Sequence, residues 1–501
     1  MFHGSEEDDE KHEMAVEALR HENLLVYSKP SAGCLVDQRQ HKSLNFSSLQ
    51  YTLGSTMQIL MNSGADAIYG PGCFMRLQMQ VTMQGAGLTQ SSLDFGRGSV
   101  MNLFRNMRLI HRSGNPLEEI INVNSVAQMK RMWGLSVDDK RKLDGMLNCY
   151  SPHVDSVTFV PAFSAVGNTI LNPDGGAINP LPVRLLAGVP VAGPVTYNYV
   201  FCIPMHMISG VFGSETQMIP PALLAGAKME IDLDNGNTAF TNFTVWSGGT
   251  TLGVVNTITP TIVYDSNVLF SSVNKQLLME QAAEPSPGLA FTYSTWFTTN
   301  SPFAADASLD VSQSVSLCEK CAVGVRVNAA IGTGAGDSFN FLAPYNSYQF
   351  RIGSTYLPLK PVVVPVPAAF AAQQSANASQ EVYAMALLAW AAGVDQYHKS
   401  AGEASNVPFY SDVSWPTLAA TNILPSNTSF TSGAACYATS LEKSPCGLEF
   451  SGQSSNNARI LNVQLTGPST VGAVTGPWNV MAMLEYIRSA VVSGDNCIVN
   501  R

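Results

Sequence analysis

The ten residues from Phe74 to Met83, FMRLQMQVTM, alternate without interruption: Met75, Leu77, Met79, Val81 and Met83 fall on one side, Arg76, Gln78, Gln80 and Thr82 on the other. A period of two places successive side chains on opposite faces of a strand, so this run predicts a β-strand with one face on a core. The pattern returns in AKMEIDLD, where Met229, Ile231 and Leu233 oppose Glu230, Asp232 and Asp234. It returns again in ARILNVQLTG, with Leu461, Val463 and Leu465 against Asn462 and Gln464. Further β-rich runs are Leu44 to Leu53, Leu103 to His111, Ser156 to Phe163, Tyr197 to Pro204, Thr261 to Phe270, Leu289 to Thr298, Leu309 to Leu317, Ala322 to Asn328, Ala435 to Leu441 and Met481 to Val492. Two faces of opposite chemistry indicate antiparallel sandwiches or barrels, not a parallel α/β sheet, and there are too many strands for one sheet.

Helical patterns are few and sit between strands: Pro116 to Trp133, Ser136 to Leu147 with Ser136 as cap and Asp139 at the box position, and Ser379 to Ser400. The glycine-rich AAIGTGAGDS, Ala329 to Ser338, is the best linker candidate. The expected organisation is an acidic N-terminal arm over 1–44, a first β-module over 45–330 with helical and loop insertions, and a second over 331–501. Each module has room for the eight strands of a jelly roll. Val166 to Pro194 and Asn235 to Thr259, rich in Gly, Pro, Asn or Thr, are the candidate long loops. One stretch breaks its own rule. Tyr348, Phe350 and Ile352 alternate with Gln349 and Arg351, and then Gly353, Pro358, Pro361 and Pro365 follow at once.

Composition narrows the class. The chain has 501 residues, 46% of them apolar, enough for a large core, and only 13% charged against an average of about 25%. Low charge suits surfaces that end up covered by neighbours. Of the net charge of −10, the segment Met1 to Glu22 carries −6 through eight acidic residues against Lys11 and Arg20. Its composition is helical, with Met14, Ala18 and Leu19 at helical spacing, and it lacks the apolar stripe that would hold a helix alone. No Lys/Arg run exists to neutralise phosphates, which argues against direct or sequence-specific nucleic-acid binding. Nine scattered cysteines with no secretory leader favour reduced thiols and synthesis in a cytoplasm. The longest apolar stretch free of proline, Val382 to Val394, has 13 residues, too short for the roughly 20 of a spanning helix.

Candidate chemistry is thin. Cys318 and Cys321 have zinc-ligand spacing, but no second pair or histidines stand at ligand spacing, so small residues of a strand facing a core are the better reading. Asp94-Phe95-Gly96 precedes His111-Arg112, the reverse of kinase order; Val16 stands where a zinc-protease helix starting at His12-Glu13 needs its second histidine. Gly332, Gly334 and Gly336 lack the spacing of a dinucleotide loop. Glu118/Glu119 and Asp138/Asp139 read as exposed first-turn charges complementing helix dipoles. No catalytic residue, metal or cofactor is expected.

Five segments in order resemble the double jelly-roll major capsid proteins of double-stranded DNA viruses. SYQFRIGSTYLPLKPV followed by EVYAMALLAW is similar to the start of their second jelly roll, through Ile352, Gly353, Tyr356, Pro358, Glu381 and Tyr383. FRNMRLIHRSGNPLEEI resembles the first-module strand leading into its inserted helix. FCIPMHMISGVFGSETQMIPPALLAGAKMEIDLD resembles the family's strand, turn and strand, through Pro204, Gly213 and Pro220. SGQSSNNARILNVQL and WNVMAMLEYIRSAVV resemble the closing strands. By length and the GVFG turn the look is that of polinton-like viruses, adintoviruses and virophages.

The resemblance implies an all-β fold of two tandem antiparallel eight-stranded jelly rolls with a few inserted helices. It implies a structural subunit of the virion that trimerises into pseudo-hexagonal capsomers tiling an icosahedral shell around DNA. The implied partners are further copies of the chain, penton and minor or cement proteins, and a host receptor at the outer loops. Two other classes compete: a β-sandwich carbohydrate-binding protein or adhesin, and a β-sandwich glycosidase, which needs two carboxylates about 5 to 9.5 Å apart in a cleft.

Overall fold

In the computed structural model the described residues are 36–62, 64, 66–84, 91–94, 99–130, 135, 143, 146–147, 170–171, 177–178, 182–183, 195–214, 217–234, 242–245, 252–269, 288–327, 345–363, 436–442, 452–455, 459–468, 477–493 and 496–500. The strands up to residue 269 are β1 (Val36–Asn45), β2 (Thr56–Leu60), β3 (Ala67–Ile68), β4 (Phe74–Gln84), β5 (Ser91–Asp94), β6 (Phe104–Ile110), β7 (Pro116–Ile121), β8 (Ile170–Leu171), β9 (Ala177–Ile178), β10 (Pro182–Val183), β11 (Val195–Pro204), β12 (Lys228–Leu233), β13 (Asn242–Val245) and β14 (Leu252–Leu269). Among the described residues, two short helices with full bounds, α1 (Val123–Met129) and α2 (Pro221–Leu224), interrupt them. From residue 289 follow β15 (Leu289–Phe303), β16 (Ala307–Val311), β17 (Val315–Val327), β18 (Tyr345–Ile352), β19 (Thr355–Val363), β20 (Cys436–Ser440), β21 (Gln453–Ser455), β22 (Leu461–Pro468), β23 (Trp478–Ser493) and β24 (Asn496–Asn500).

All the named strand pairs are antiparallel, and their order repeats. One pair of sheets runs β1-β14-β4-β11 and β2-β12-β6-β7; the other runs β15-β23-β17-β20 and β16-β22-β18-β19. Within each set the sheets take the first, eighth, third and sixth strands and the second, seventh, fourth and fifth. That order is the jelly roll, and it occurs twice. The remaining strands extend these sheets or form small ones of their own, β10-β5-β13 and β8-β9.

The alternating runs became the central strands, as expected from their two-faced chemistry. Met75, Leu77, Met79 and Val81 of β4 are fully buried, Met229, Ile231 and Leu233 of β12 are buried, and so are Leu461, Val463 and Leu465 of β22. Buried apolar side chains of both sandwiches belong to one continuous cluster. Among the described residues no helix is long and apolar enough to cross a membrane.

Strand pairing departs from the expected organisation in three places. First, β15, β16 and β17 pair with β22 and β23 near the C-terminus, so the second sandwich begins at Leu289 and not after residue 330. The glycine-rich 329–338 falls between β17 and β18 of one sandwich, outside the described residues. Second, the first sandwich begins at Val36, inside the expected arm, because β1 pairs with β14 from Val36↔Leu269 to Asn45↔Thr261. This strand, VDQRQHKSLN, has almost no apolar alternation and is held by its ladder and by ion pairs: Arg39 with the buried Asp265, and Lys42 with Asp66. Third, Pro116 to Trp133 is not one helix. Residues 116–121 form β7 against β6, and a helix of seven residues follows Asn122, whose φ of 56° makes the corner.

The expected strand over Ser156 to Phe163 and the expected helix over Ser379 to Ser400 lie outside the described residues, as do Asp138, Asp139 and the acidic segment Met1 to Glu22. The candidate loop Asn235 to Thr259 includes β13 and the start of β14.

The proline-rich stretch is now explained. β18 and β19 form a hairpin whose turn is Gly353-Ser354, with Ile352↔Thr355 and Phe350↔Leu357 paired. The next pairs are Tyr348↔Val362 and Ser347↔Val363, so residues 358–361 bulge out of the ladder, and Pro358 and Pro361 occupy that bulge. The Gln349 amide donates to the carbonyls of Pro358 at 3.0 Å and Leu359 at 3.2 Å, replacing the ladder bonds that the bulge removes. β19 is the edge strand of its sheet. Proline there leaves fewer free donors to template another strand.

Gly353 turns this hairpin with φ +60°, and a Cβ added to it would meet Arg459 Cγ at 3.3 Å. Gly213 has no such φ and an open surround. The Gly353→Val variant is therefore expected to lose more than about 1 kcal/mol in thermal or denaturant unfolding, while Gly213→Ala stays within about 0.5 kcal/mol of the parent. Equal stability of the two variants would show that the turn does not need its left-handed residue.

Candidate functional site at the seam between the two sandwiches

Among the described residues a cluster of buried polar groups lies where β7, an edge strand of the first sandwich, meets β15, an edge strand of the second. No ladder joins them among the described residues, so the outward carbonyls of β7 need other donors. Side chains supply them. The Tyr293 hydroxyl donates to the Leu117 carbonyl, Thr298 Oγ1 to the Ile121 carbonyl at 2.8 Å, and Arg488 Nη2 to the Pro116 carbonyl at 3.4 Å. In the reverse direction Asn115 Nδ2 donates to the Cys497 carbonyl at 2.6 Å.

Glu118 sits at the centre, with 0% of its surface exposed. Its Oε2 accepts from the Ser209 hydroxyl at 2.5 Å, and its Oε1 accepts from the Gly210 N–H at 2.8 Å and the Thr295 hydroxyl at 2.5 Å. One carboxyl thus ties together β7, the turn after β11 and β15. Burial raises its pKa; the hydrogen bonds from Ser209, Thr295 and the Gly210 and Val211 amides oppose that shift without cancelling it. Gly210 is required by proximity, since a Cβ there would stand 1.8 Å from the Ser294 carbonyl oxygen and 2.9 Å from Glu118 Oε1. The expectation of an exposed first-turn charge at Glu118 is therefore corrected: β7 pairing puts it in phase with the buried Ile120. Glu119, one residue on, is exposed and 3.9 Å from Arg108.

A cation completes the seam. Lys130, just after α1, donates to the His206 carbonyl at 2.9 Å and lies 3.7 Å above the Trp296 ring centroid. Burial pushes its amine down to about 8, against the pull of Glu485 and Glu118. His206 is pushed down to about 4, first by burial and then by Lys130. On the neighbouring strands, the Ser294 hydroxyl lies 3.0 Å from both Glu319 Oε2 and Glu485 Oε1. Burial first, and then Glu485, raise Glu319 to about 7.

The residues singled out by the sequence fall elsewhere, in two groups. Ile352, Gly353, Tyr356 and Pro358 lie together on the β18–β19 hairpin, with Ile352 buried and Tyr356 exposed. Pro204 ends β11, Gly213 closes a short 3-10 turn, and Pro220 precedes α2, all within the connection from β11 to β12. Glu381 and Tyr383 lie outside the described residues. Cys318 and Cys321 are both buried on β17. Sequence reading missed the seam because its partners are far apart along the chain: Glu118 and Thr295 are separated by 177 residues. A signal did exist in LEEII, where alternation alone puts Glu118 on the same side as Ile120.

Truncation at Glu118 leaves two hydroxyls and an amide without their acceptor, so Glu118→Ala is expected to cost about 2–4 kcal/mol, whereas Glu119→Ala stays within about 0.5 kcal/mol. Because the folded protein holds the Glu118 proton more tightly than the unfolded chain, that contribution is full below the ordinary carboxyl pKa and declines as pH rises towards the raised folded value. Glu118→Gln is expected to flatten this component of the stability–pH curve. Denaturation midpoints across pH for the three variants check both statements, and a Glu118→Ala protein as stable as Glu119→Ala would refute them.

No family model matches the sequence, and no curated protein matches it either. Solved structures do. The chain is similar to the Faustovirus major capsid protein at TM-score 0.57 and 10% identity, covering 93% of this chain and 92% of that one. It is similar to a chain of the quasi-atomic PBCV-1 virus capsid at TM-score 0.53 and 10% identity, covering 95% and 99%. The Sputnik virophage structure determined by cryo-EM matches at TM-score 0.52 and 13% identity, covering 93% and 88%. At such identities the likeness is one of fold, and the fold it identifies across nearly the whole chain is the double jelly roll.

Proposed function

We propose that this chain is a viral major capsid protein, a structural subunit that trimerises into pseudo-hexagonal capsomers and tiles an icosahedral shell around a DNA genome. The observation that carries the reading is the twice-repeated strand order, β1-β14-β4-β11 with β2-β12-β6-β7 and β15-β23-β17-β20 with β16-β22-β18-β19. Two similar blocks in one chain give three chains six corners, the outline that fills a hexagonal lattice. The likeness to the Faustovirus major capsid protein and to a chain of the Sputnik virophage structure, in each case over about nine-tenths of both chains, supports the same reading.

The seam fits a structural joint better than a reaction centre: its buried polar groups bond one another across the two sandwiches. We therefore read the chain as no enzyme and as needing no cofactor. Its partners in this reading are other copies, penton and minor or cement proteins, with outer loops free for a host receptor. The virion is its place of action after synthesis in the host cytoplasm. The acidic segment Met1 to Glu22, short of cations to grip a genome, is assigned to the inner side, against adjacent capsomers or a minor protein.

The purified chain is expected to run as a trimer in light scattering after size exclusion, to resist dilution and salt, and to show six-cornered blocks by negative stain. A stable monomer under these conditions would contradict the proposal. Removal of residues 1–22 leaves β1 intact. That variant is expected to keep the trimer and to close shells less efficiently; loss of the trimer would contradict the inner placement.

A further inference from the structure

The two sandwiches repeat strand for strand, so the seam has a positional description: the fifth strand of one sandwich, β7, meets the first strand of the next, β15. The chain carries a second strand of each kind. β19 is the fifth strand of the second sandwich and β1 the first strand of the first, and among the described residues each pairs on one side only, β19 with β18 and β1 with β14. Their burial differs from that of their equivalents. β7 buries Leu117, Glu118 and Ile120, and β15 buries Phe291, Tyr293, Thr295, Trp296 and Thr298. β1 buries none of its ten residues. Of the described side chains of β19, Val362 alone is buried, while Tyr356 is 38% and Leu359 83% exposed.

We propose that β19 of one copy docks on β1 of a second copy as β7 docks on β15 within the chain, so that a ring of copies alternates in-chain and between-chain seams. This deepens the capsid reading and rests on its trimer. A fifth strand meeting a first strand is a head-to-tail contact, which passes from copy to copy and stops only where the ring closes.

The chemistry of both edges suits such a contact. Pro116 opens β7, and Pro358 and Pro361 stand in β19, so neither fifth strand has a full row of amides to offer a ladder. Within the chain, side chains of β15 and β23 bond the carbonyls of β7; β1 carries Gln38, Gln40, Ser43 and Asn45 for the same task. Arg39 and Lys42 are already matched by Asp265 and Asp66, which limits their repulsion of Lys360 on β19. No acidic residue of β19 takes the place of Glu118. Copies that meet after folding must strip water from both edges, and a strand of Tyr356, Leu359 and prolines does so without burying a carboxylate.

The seam also sets the direction of the contact. Leu117, Glu118 and Ile121 meet Tyr293, Thr295 and Thr298 in that order, so the two strands run in one sense. Counted from the hairpin closures Ile110↔Pro116 and Ile352↔Thr355, Lys360 stands where Ile121 does. Counted from Leu289↔Val492 and Val36↔Leu269, Asn45 stands where Thr298 does. Lys360 of one copy is therefore placed beside Asn45 of the next.

Two experiments on the full chain test this. Leu359→Glu is expected to leave the unfolding midpoint of the single chain unchanged, because Leu359 is exposed there, and to raise the concentration at which trimers dissociate at least about tenfold in light scattering, the effect of a charge covered without a partner. Asn45→Cys chains mixed with Lys360→Cys chains before assembly and treated with a short bismaleimide are expected to yield peptides joining position 45 of one chain to position 360 of another, with no 45–45 or 360–360 product. Products of those last two kinds would show a two-fold contact and overturn the proposal. A wild-type trimer that gives no 45–360 product, or a Leu359→Glu trimer as resistant to dilution as the wild type, would overturn it while leaving the trimer standing. A wild-type monomer would overturn the trimer itself, and this contact with it.

Discussion

The structure depends on how the edges of its sheets are satisfied. An antiparallel sandwich closes its faces by burying apolar side chains, but its edge strands still present carbonyls and amides. Here two sandwiches meet edge to edge, β7 against β15, without forming a common sheet. Hydroxyl and guanidinium groups from the second sandwich bond the carbonyls of Pro116, Leu117 and Ile121. Glu118 does the converse, accepting from three donors on two other segments. A buried carboxyl in such a place is costly unless fully bonded. Fully bonded, it fixes the relative register of the three segments.

Other edges are managed differently, and the differences follow their surroundings. β1 is polar and carries ion pairs, Arg39 to the buried Asp265 and Lys42 to Asp66. β19 carries prolines and a bulge, with Gln349 bonding the carbonyls that leave the ladder. Both devices oppose indiscriminate pairing while leaving side chains outward, Leu359 among them at 83% exposed. On the proposed reading, a bonded internal joint and guarded outer edges suit the repeated, specific contact between copies that a shell demands.

Much of this was legible in the sequence where a strand carries both faces of its chemistry. β4, β12 and β22 were visible because Met75, Met229 and Leu461 each begin an uninterrupted alternation. β1 was not, because a polar edge strand buries too little to leave a pattern. The boundary between sandwiches was misplaced because glycine-rich composition marks a loop but not which elements it connects. Only the pairing of Leu289 with Val492 reveals that β15 belongs to the C-terminal half. Glu118 was misread for a related reason: Pro116 followed by two glutamates fits a helix start, and the donors that make burial tolerable lie near residues 209 and 295. Local pattern reports local preference; the seam is made by contacts far apart in the chain.

Calorimetry of the full chain tests most directly whether the seam makes one body of two sandwiches. The account predicts a single unfolding transition whose calorimetric and van't Hoff enthalpies agree, splitting into two when Thr295→Val and Thr298→Val remove seam donors together. Two independent transitions in the wild type, unchanged by those substitutions, would contradict it.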